Sequence, residues 1–128
     1  MSGKPHEIVR PRFRMWLRPD GIVQLEWGPG VVIDLDAAVA STEAMAALTG
    51  GRRSPLLVDA HDARTQDRST RLEFARRSDL VSALALVVGT PLSRLMGKLS
   101  FNLSPPTTPK RLFDDEASAV AWLQEFLP

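Results

Sequence analysis

The chain has 128 residues, a formal net charge of +1 and no cysteine, and 44% of its residues are hydrophobic. This length is typical of one domain that buries a hydrophobic core without disulfide or metal support, and the lack of cysteine excludes zinc–thiolate sites and thiol nucleophiles and favours the cytoplasm. Mixed charges predict no nucleic-acid-binding face, and since no apolar run approaches about 20 residues, neither a membrane span nor membrane association is expected.

The N-terminal third is predicted to hold a loose arm followed by a β-hairpin. Residues 1–11 show no apolar periodicity and are expected to form a flexible arm, with a single domain over residues 12–128. Asp20-Gly21 is typical of a tight turn between two strands whose apolar residues alternate with polar ones. The alternating positions are Phe13, Met15 and Leu17 before the turn, and Val23, Leu25 and Trp27 after it.

Helices and short strands then alternate. Residues 31–33 predict an extended segment, and a helix is predicted from Asp34 or Asp36 to Leu48 because an acidic N-cap precedes it and two glycines follow it. Residues 56–58 are too few for a helix and predict a buried strand. The segment "RLEFARR" predicts a second helix, and residues 84–88 predict another strand.

The C-terminal part predicts two more helices around one strand. Thr90-Pro91 is a typical helix start, and the apolar stripe that follows it predicts an amphipathic helix. A proline-rich loop ends that helix, "RLF" predicts a strand, and the acidic run Asp114–Glu116 favours the N-terminus of a last helix. The apolar stripe of the first of these helices consists of Leu92, Leu95, Met96 and Leu99, and that of the second includes Val120, Leu123 and Leu127.

Strands joined through helices run in the same direction, so the order of elements predicts a mixed sheet with a parallel part. Three stretches, "PLLVDAHDA", "LALVVGTPLSRLMGKL" and "KRLFDDEASAVAWL", resemble the SpoIIAA-like branch of the STAS superfamily (STAS/SEC14-type), which includes anti-sigma-factor antagonists. The resemblance implies an α/β fold, a SpoIIAA-like mixed sheet with an N-terminal β-hairpin and about four flanking helices. It also implies a non-enzymatic regulatory or protein-interaction module without a cofactor. A SEC14-like carrier or sensor of a small apolar ligand or lipid is the alternative.

The resemblance also implies a phosphorylation site at the start of the second helix. Aligning the family's Asp-Ser-Ser-Gly type motif places Asp67 at the acid and Ser69 at the serine, although Arg68 replaces one serine and Thr70 replaces the glycine. A phosphate on Ser69 or Thr70 would meet backbone N–H groups, with Arg68 and Arg71 nearby. The competing hypothesis is a capping box, in which Thr70 caps the helix and Glu73 bonds back to it.

Two further patterns have both a chemical and a structural interpretation. Asp34 and Asp36 have the Asp-x-Asp spacing of phosphohydrolases, but they also stand where a helix cap is needed. His61-Asp62 could form an acid–base pair or bind metal. Without cysteine or a second structured histidine, a solvated loop is favoured and no metal site is predicted.

The helix after Thr90 is the predicted partner or ligand face. Its stripe could be ordinary core, or it could form a homodimer face, a partner groove or the mouth of an apolar ligand site. The partner itself cannot be named from the sequence. The residues of this face are Leu92, Leu95, Met96, Leu99, Phe101 and Leu103.

Overall fold

The computed structural model describes residues 6–60, 63–65, 68–88 and 108–128. Its elements form a six-stranded sheet in the order β1-β2-β3-β5-β7-β8, and a small second sheet of β4 and β6. The strands are β1 Glu7–Val9, β2 Phe13–Leu17, β3 Val23–Trp27, β4 Val32–Ile33, β5 Ser54–Asp59, β6 Arg64–Thr65, β7 Val81–Val87 and β8 Lys110–Phe113. The helices are α1 Leu35–Thr49, α2 Arg68–Arg76 and α3 Glu116–Leu123, with 3-10 turns at Ser78–Leu80 and Gln124–Phe126.

The predicted hairpin is confirmed. β2 and β3 pair antiparallel, with Phe13 opposite Trp27 and Leu17 opposite Val23. Between the strands, Asp20 Oδ1 accepts a hydrogen bond from the Ile22 amide at 3.0 Å. Gly21 has φ of 96°, a value that a residue with a Cβ rarely adopts. The tight turn therefore rests on the chemistry of the Asp-Gly pair.

The prediction of a loose arm over residues 1–11 is wrong for Glu7–Val9, which form strand β1. β1 pairs antiparallel with β2, and Ile8 lies opposite Met15. Ile8 is the one residue of the three that packs against the larger core, so no apolar alternation is visible in so short a strand. The edge of β2 supplies the backbone partners that the sequence pattern does not reveal.

The sheet is mixed, as predicted. β3, β5, β7 and β8 pair in parallel, whereas β1, β2 and β3 pair antiparallel. The central strand β5 contains Pro55, and its pairing with β7 shifts in register between Ser54 and Pro55. Proline lacks the N–H group of a regular ladder, so an irregularity at this position is expected.

Two hydrophobic cores lie on opposite faces of the sheet. The larger core joins α1 and the inward residues of the hairpin, with Phe13 and Trp27 in edge-to-face contact at 5.3 Å. Phe74 of α2 packs against this same core. The smaller core joins α3 to the central strands on the other face, and it consists of Ile22, Leu57, Ala83, Ala85, Ala119 and Leu123.

Carboxylates cap two of the helices. Asp34 accepts a hydrogen bond from the Ala37 amide at 2.9 Å at the start of α1, and Gly50 ends that helix in the left-handed conformation. Asp115 accepts from the Ser118 amide at 2.7 Å at the start of α3. These caps confirm the predicted helix starts.

The predicted helix count is about four, and the described residues hold three α-helices. The predicted helix that begins at Thr90-Pro91, with its apolar stripe, lies outside the described residues. Within the part of the chain that is described, no helix has the length and apolar character needed to span a bilayer.

Candidate functional site

The first turn of α2 carries the residues predicted as a phosphate or anion site. Arg68 and Ser69 are exposed, and Arg71 is half-buried. Thr70 is fully buried, with 0% of its surface exposed. Because a kinase must reach the hydroxyl group, the structure leaves Ser69 accessible and Thr70 inaccessible in the folded protein. Phosphorylation of Ser69 stays a prediction.

The predicted capping box at Thr70 is wrong. α2 begins at Arg68, so Thr70 is the third helical residue and not the N-cap. The Glu73 carboxylate instead accepts two hydrogen bonds from the Arg76 guanidinium, at 3.0 and 2.9 Å. The Thr42 hydroxyl of α1 lies 3.3 Å from the same carboxylate. Glu73 therefore links α2 to α1.

The other acidic residues singled out from the sequence are held separately. Asp34 is the cap of α1, and its carboxylate also pairs with Arg12 at 2.7 Å. The Ala37 amide and the Arg12 guanidinium lower the pKa of Asp34 below its ordinary value of 3.8. Asp36 is exposed in the first helical turn, and Asp59 ends β5 beside Glu26 of β3. The Asp-x-Asp spacing thus corresponds to a helix cap and its neighbour.

Several predicted site residues lie outside the described residues. They are His61, Asp62 and Asp67 of the polar crossover, together with Leu92, Leu95, Met96, Leu99, Phe101 and Leu103 of the predicted partner face. Across residues 6–60, 63–65, 68–88 and 108–128, no three histidine or acidic side chains converge as a metal site would require.

A surface that the sequence analysis missed lies on the outer side of β1, β2 and β3. Arg14 is exposed, and its guanidinium lies 4.4 Å from the centre of the Trp16 ring. Arg14 also pairs with Glu7, and Val9 beside it is 63% exposed. We call Glu7, Val9, Arg14, Trp16 and Glu26 the hairpin face.

Register explains how these side chains come together. Val9 lies opposite Arg14, which lies opposite Glu26 on β3. Glu7 lies opposite Trp16 in the next row. Residues of one row of a sheet have adjacent side chains on one face, so the three strands present one continuous surface. The sequence signal was a large aromatic residue, Trp16, in the polar phase of the β2 alternation.

A polar network separates the hairpin face from the smaller core. Gln24 is buried and donates to Glu116 of α3 at 2.8 Å, while it accepts from Arg18 at 2.9 Å. The Arg18 guanidinium also lies 3.3 Å from Asp20. α3 therefore covers the sheet as far as β3 and is fixed there by Gln24. The side chains of β1 and β2 lie beyond this network.

The opposite edge of the sheet carries a second surface. A groove of about 380 Å³ lies between β8 and the start of α3, lined by residues 111–115 and Ser118. The Arg111 guanidinium lies 5.3 Å from the centre of the Phe113 ring, which contacts Trp122 at 5.7 Å. At the start of this strand, partial burial lowers the pKa of the Lys110 ammonium from its ordinary 10.5.

Comparison with known proteins agrees with this architecture. The model of a family described as a domain of unknown function (DUF7793) matches residues 15–127. No curated protein matches the chain. A crystal structure of an uncharacterised DUF3478-family protein with a SpoIIAA-like fold, from Shewanella loihica PV-4, is similar with a TM-score of 0.61 and 14% sequence identity. The alignment covers 96% of this chain and 98% of that one, which confirms the predicted SpoIIAA-like fold.

Proposed function

The chain belongs to the DUF7793 family of domains of unknown function, and we propose that it is a non-enzymatic protein-interaction module whose contact surface is the hairpin face. The observation that carries this proposal is the stacked pair of Arg14 and Trp16, with Val9 exposed beside it. Tryptophan and arginine are the residue types most enriched among the side chains that dominate binding energy at protein interfaces. A regulatory role would follow from the partner that this surface binds.

The chemistry of the hairpin face indicates the kind of partner. Val9 and the Trp16 ring offer apolar contact area next to charged groups. Arg14 is paired with Glu7, whereas Glu26 has no ion pair within the described residues. We therefore expect a folded protein that places an apolar side chain on Val9 and Trp16 and a basic side chain beside Glu26.

The test is purification of the tagged protein from its native cells, followed by mass spectrometry and reconstitution with the purified partner. Val9→Arg and Trp16→Ala are expected to reduce the affinity at least about tenfold, because each removes apolar contact area from the hairpin face. Leu72→Ala is the matched control, since Leu72 is 55% exposed on α2, away from the hairpin face.

The variants also separate this proposal from its alternatives. A partner whose affinity is unchanged by Val9→Arg and Trp16→Ala binds elsewhere and contradicts the proposal. A lipid or other apolar molecule that co-purifies in stoichiometric amount would favour the carrier hypothesis instead. Circular dichroism of each variant distinguishes a lost contact from a lost fold.

A further inference from the structure

We propose that two copies of the chain pair through the exposed side of α1 and α2, about a two-fold axis that runs parallel to these helices. The inference is independent of the hairpin face. The side chains of Arg14 and Trp16 alternate along β2 with those that enter the larger core beneath α1, so the hairpin face lies on the other side of the sheet. We call Asp36, Val39, Ala40, Arg68 and Leu72 the helix face.

The helix face is accessible to a second molecule. Asp36 and Arg68 are exposed, and Val39 and Ala40 are half-buried. Leu72 is 55% exposed, one helical turn after Arg68. In the described part of the chain, the side chains of Asp36 and Arg68 form no hydrogen bond or ion pair with any other residue. The face therefore presents an acid, a base and apolar side chains that are all available for contact.

α1 and α2 lie side by side and run in the same direction. Each connects two strands of the parallel part of the sheet, and both pack against the larger core. The Thr42 hydroxyl lies 3.3 Å from the Glu73 carboxylate, so these residues have the same position along the helix axis. At a rise of about 1.5 Å per residue, Asp36 lies about 9 Å before Thr42, and Arg68 lies about 7.5 Å before Glu73. Asp36 and Arg68 therefore lie at nearly the same height along their helices.

A two-fold axis parallel to the helices places α1 of one copy over α2 of the other and leaves every height unchanged. Asp36 then faces Arg68 of the second copy. Leu72 lies within about 3 Å of the heights of Val39 and Ala40, so it packs against these small side chains of the second copy. The axis repeats both contacts. The face is thus complementary to itself, with two ion pairs and two apolar contacts.

The other face-to-face arrangement is less favourable. A two-fold axis perpendicular to the helices would place α1 on α1 and α2 on α2, in opposite directions. With Leu72 at the centre, Asp36 would approach the exposed Glu43 of the second copy. Arg68 would approach the exposed Arg76 of the second copy. Like charges would meet on both pairs of helices, which disfavours this orientation.

The contact is formed by two helices of 15 and 9 residues, so it is small. It buries less surface than the roughly 1,600 Å² of a standard interface, and we expect a dimer that dissociates on dilution. Sedimentation velocity of the purified chain should show the mass of one chain at micromolar concentration and of two chains at millimolar concentration. The mass of one chain at every concentration would overturn the proposal.

Charge reversal tests which surfaces meet. Asp36→Arg places an arginine opposite Arg68 of the second copy, and Arg68→Asp places a carboxylate opposite Asp36. Each variant alone should dimerise at least about tenfold more weakly than the wild type. Glu125→Arg and Arg53→Asp reverse an exposed charge outside the helix face and should leave dimerisation unchanged. A dimer that the first two variants leave intact would use another surface and contradict the proposal.

An equimolar mixture of Asp36→Arg and Arg68→Asp tests the two-fold relation. In a mixed pair the new arginine faces the new aspartate at one contact, and the native Arg68 faces the native Asp36 at the other. The mixture should therefore dimerise about as strongly as the wild type, although neither variant does so alone. A mixture of folded variants that stays monomeric would contradict this pairing.

A substitution in the apolar contact provides an independent measurement. Leu72→Asp places a carboxylate against Val39 and Ala40 of the second copy and leaves both helix starts unchanged. It should also weaken the dimer at least about tenfold. Thermal unfolding shows whether each variant is folded. An undiminished dimer of Leu72→Asp would overturn the proposal even if a charge variant failed to fold.

Discussion

The Thr42 hydroxyl lies 3.3 Å from Glu73 Oε2 and 3.0 Å from the Val39 carbonyl oxygen, so its single proton is shared between α1 and α2. The Glu73 side chain is 9% exposed, whereas Arg76, which neutralises it, is 65% exposed. The helices are thus joined by a buried carboxylate whose counter-ion comes from the surface.

Removal of Arg76 tests how much Glu73 depends on that cation. Arg76→Ala should lower the free energy of unfolding by about 1–3 kcal/mol, because the buried Glu73 carboxylate loses the two hydrogen bonds from the guanidinium. It keeps the Thr42 hydroxyl, which it shares with the Val39 carbonyl oxygen. In the Glu73→Gln background the same change should have a smaller effect, since no buried charge remains. Urea unfolding of the wild type, the two single variants and the double variant gives the coupling energy between Arg76 and Glu73. Arg53→Ala is the control for the loss of an exposed arginine. Equal effects in both backgrounds would contradict the linkage.

The cap of α1 should make stability depend on pH. The pKa of Asp34 is lowered in the folded protein, so its ionised form favours folding above the ordinary pKa of 3.8. This contribution is lost as the pH falls through the lower folded-state value. The stability difference between wild type and Asp34→Asn should therefore shrink toward acid pH, as measured by thermal unfolding between neutral and acid pH. Asp36→Asn, in the same helical turn without the cap bond, is the control for removing one carboxylate from this turn.

Gly21 in the hairpin turn can be compared with Gly51, which follows α1. Both have positive φ, 96° and 82°. Replacing either glycine with alanine should therefore lower the free energy of unfolding by about 1–2 kcal/mol through backbone strain. A Cβ at Gly21 would also lie 3.2 Å from Leu127 Cδ2, whereas one at Gly51 meets no atom within 4 Å. Gly21→Ala should therefore be the more destabilising change in chemical unfolding. In the Leu127→Ala background, the two glycine substitutions should differ less in their effect on the free energy of unfolding. An unchanged difference would show that the contact with Leu127 is not its cause.

A negative charge should be tolerated at Ser69 and rejected at Thr70. Ser69 is exposed in the first turn of α2, where the helix dipole favours an anion, so Ser69→Glu should change stability by less than about 1 kcal/mol. Thr70 is fully buried, and Thr70→Glu should destabilise by about 3 kcal/mol or more. Urea unfolding measures both changes in stability. A Thr70→Glu protein as stable as the wild type would contradict the burial of Thr70.

The elements that could be predicted are those in which the local pattern agrees with the packing. The hairpin was predictable because alternation and an Asp-Gly turn coincide, and α1 because Asp34 caps an alanine-rich run. The start of α2 could not be placed, because Arg68 and Ser69 carry no apolar periodicity. Edges and open faces depend on strand order, which brings together residues distant in sequence such as Gln24 and Glu116. The hairpin face could therefore be found only from the structure.

The irregular pairing at Pro55 has a consequence for how the sheet selects its alignment. β5 is apolar on both faces, since Leu57 belongs to one core and Val58 to the other. A slip of one residue would exchange these faces, and hydrophobicity alone discriminates weakly against it. Pro55 has no N–H group. In a slipped ladder a different carbonyl group would face its nitrogen, and that carbonyl would lose its hydrogen bond. Pro55 therefore favours the observed alignment of β5 with β7.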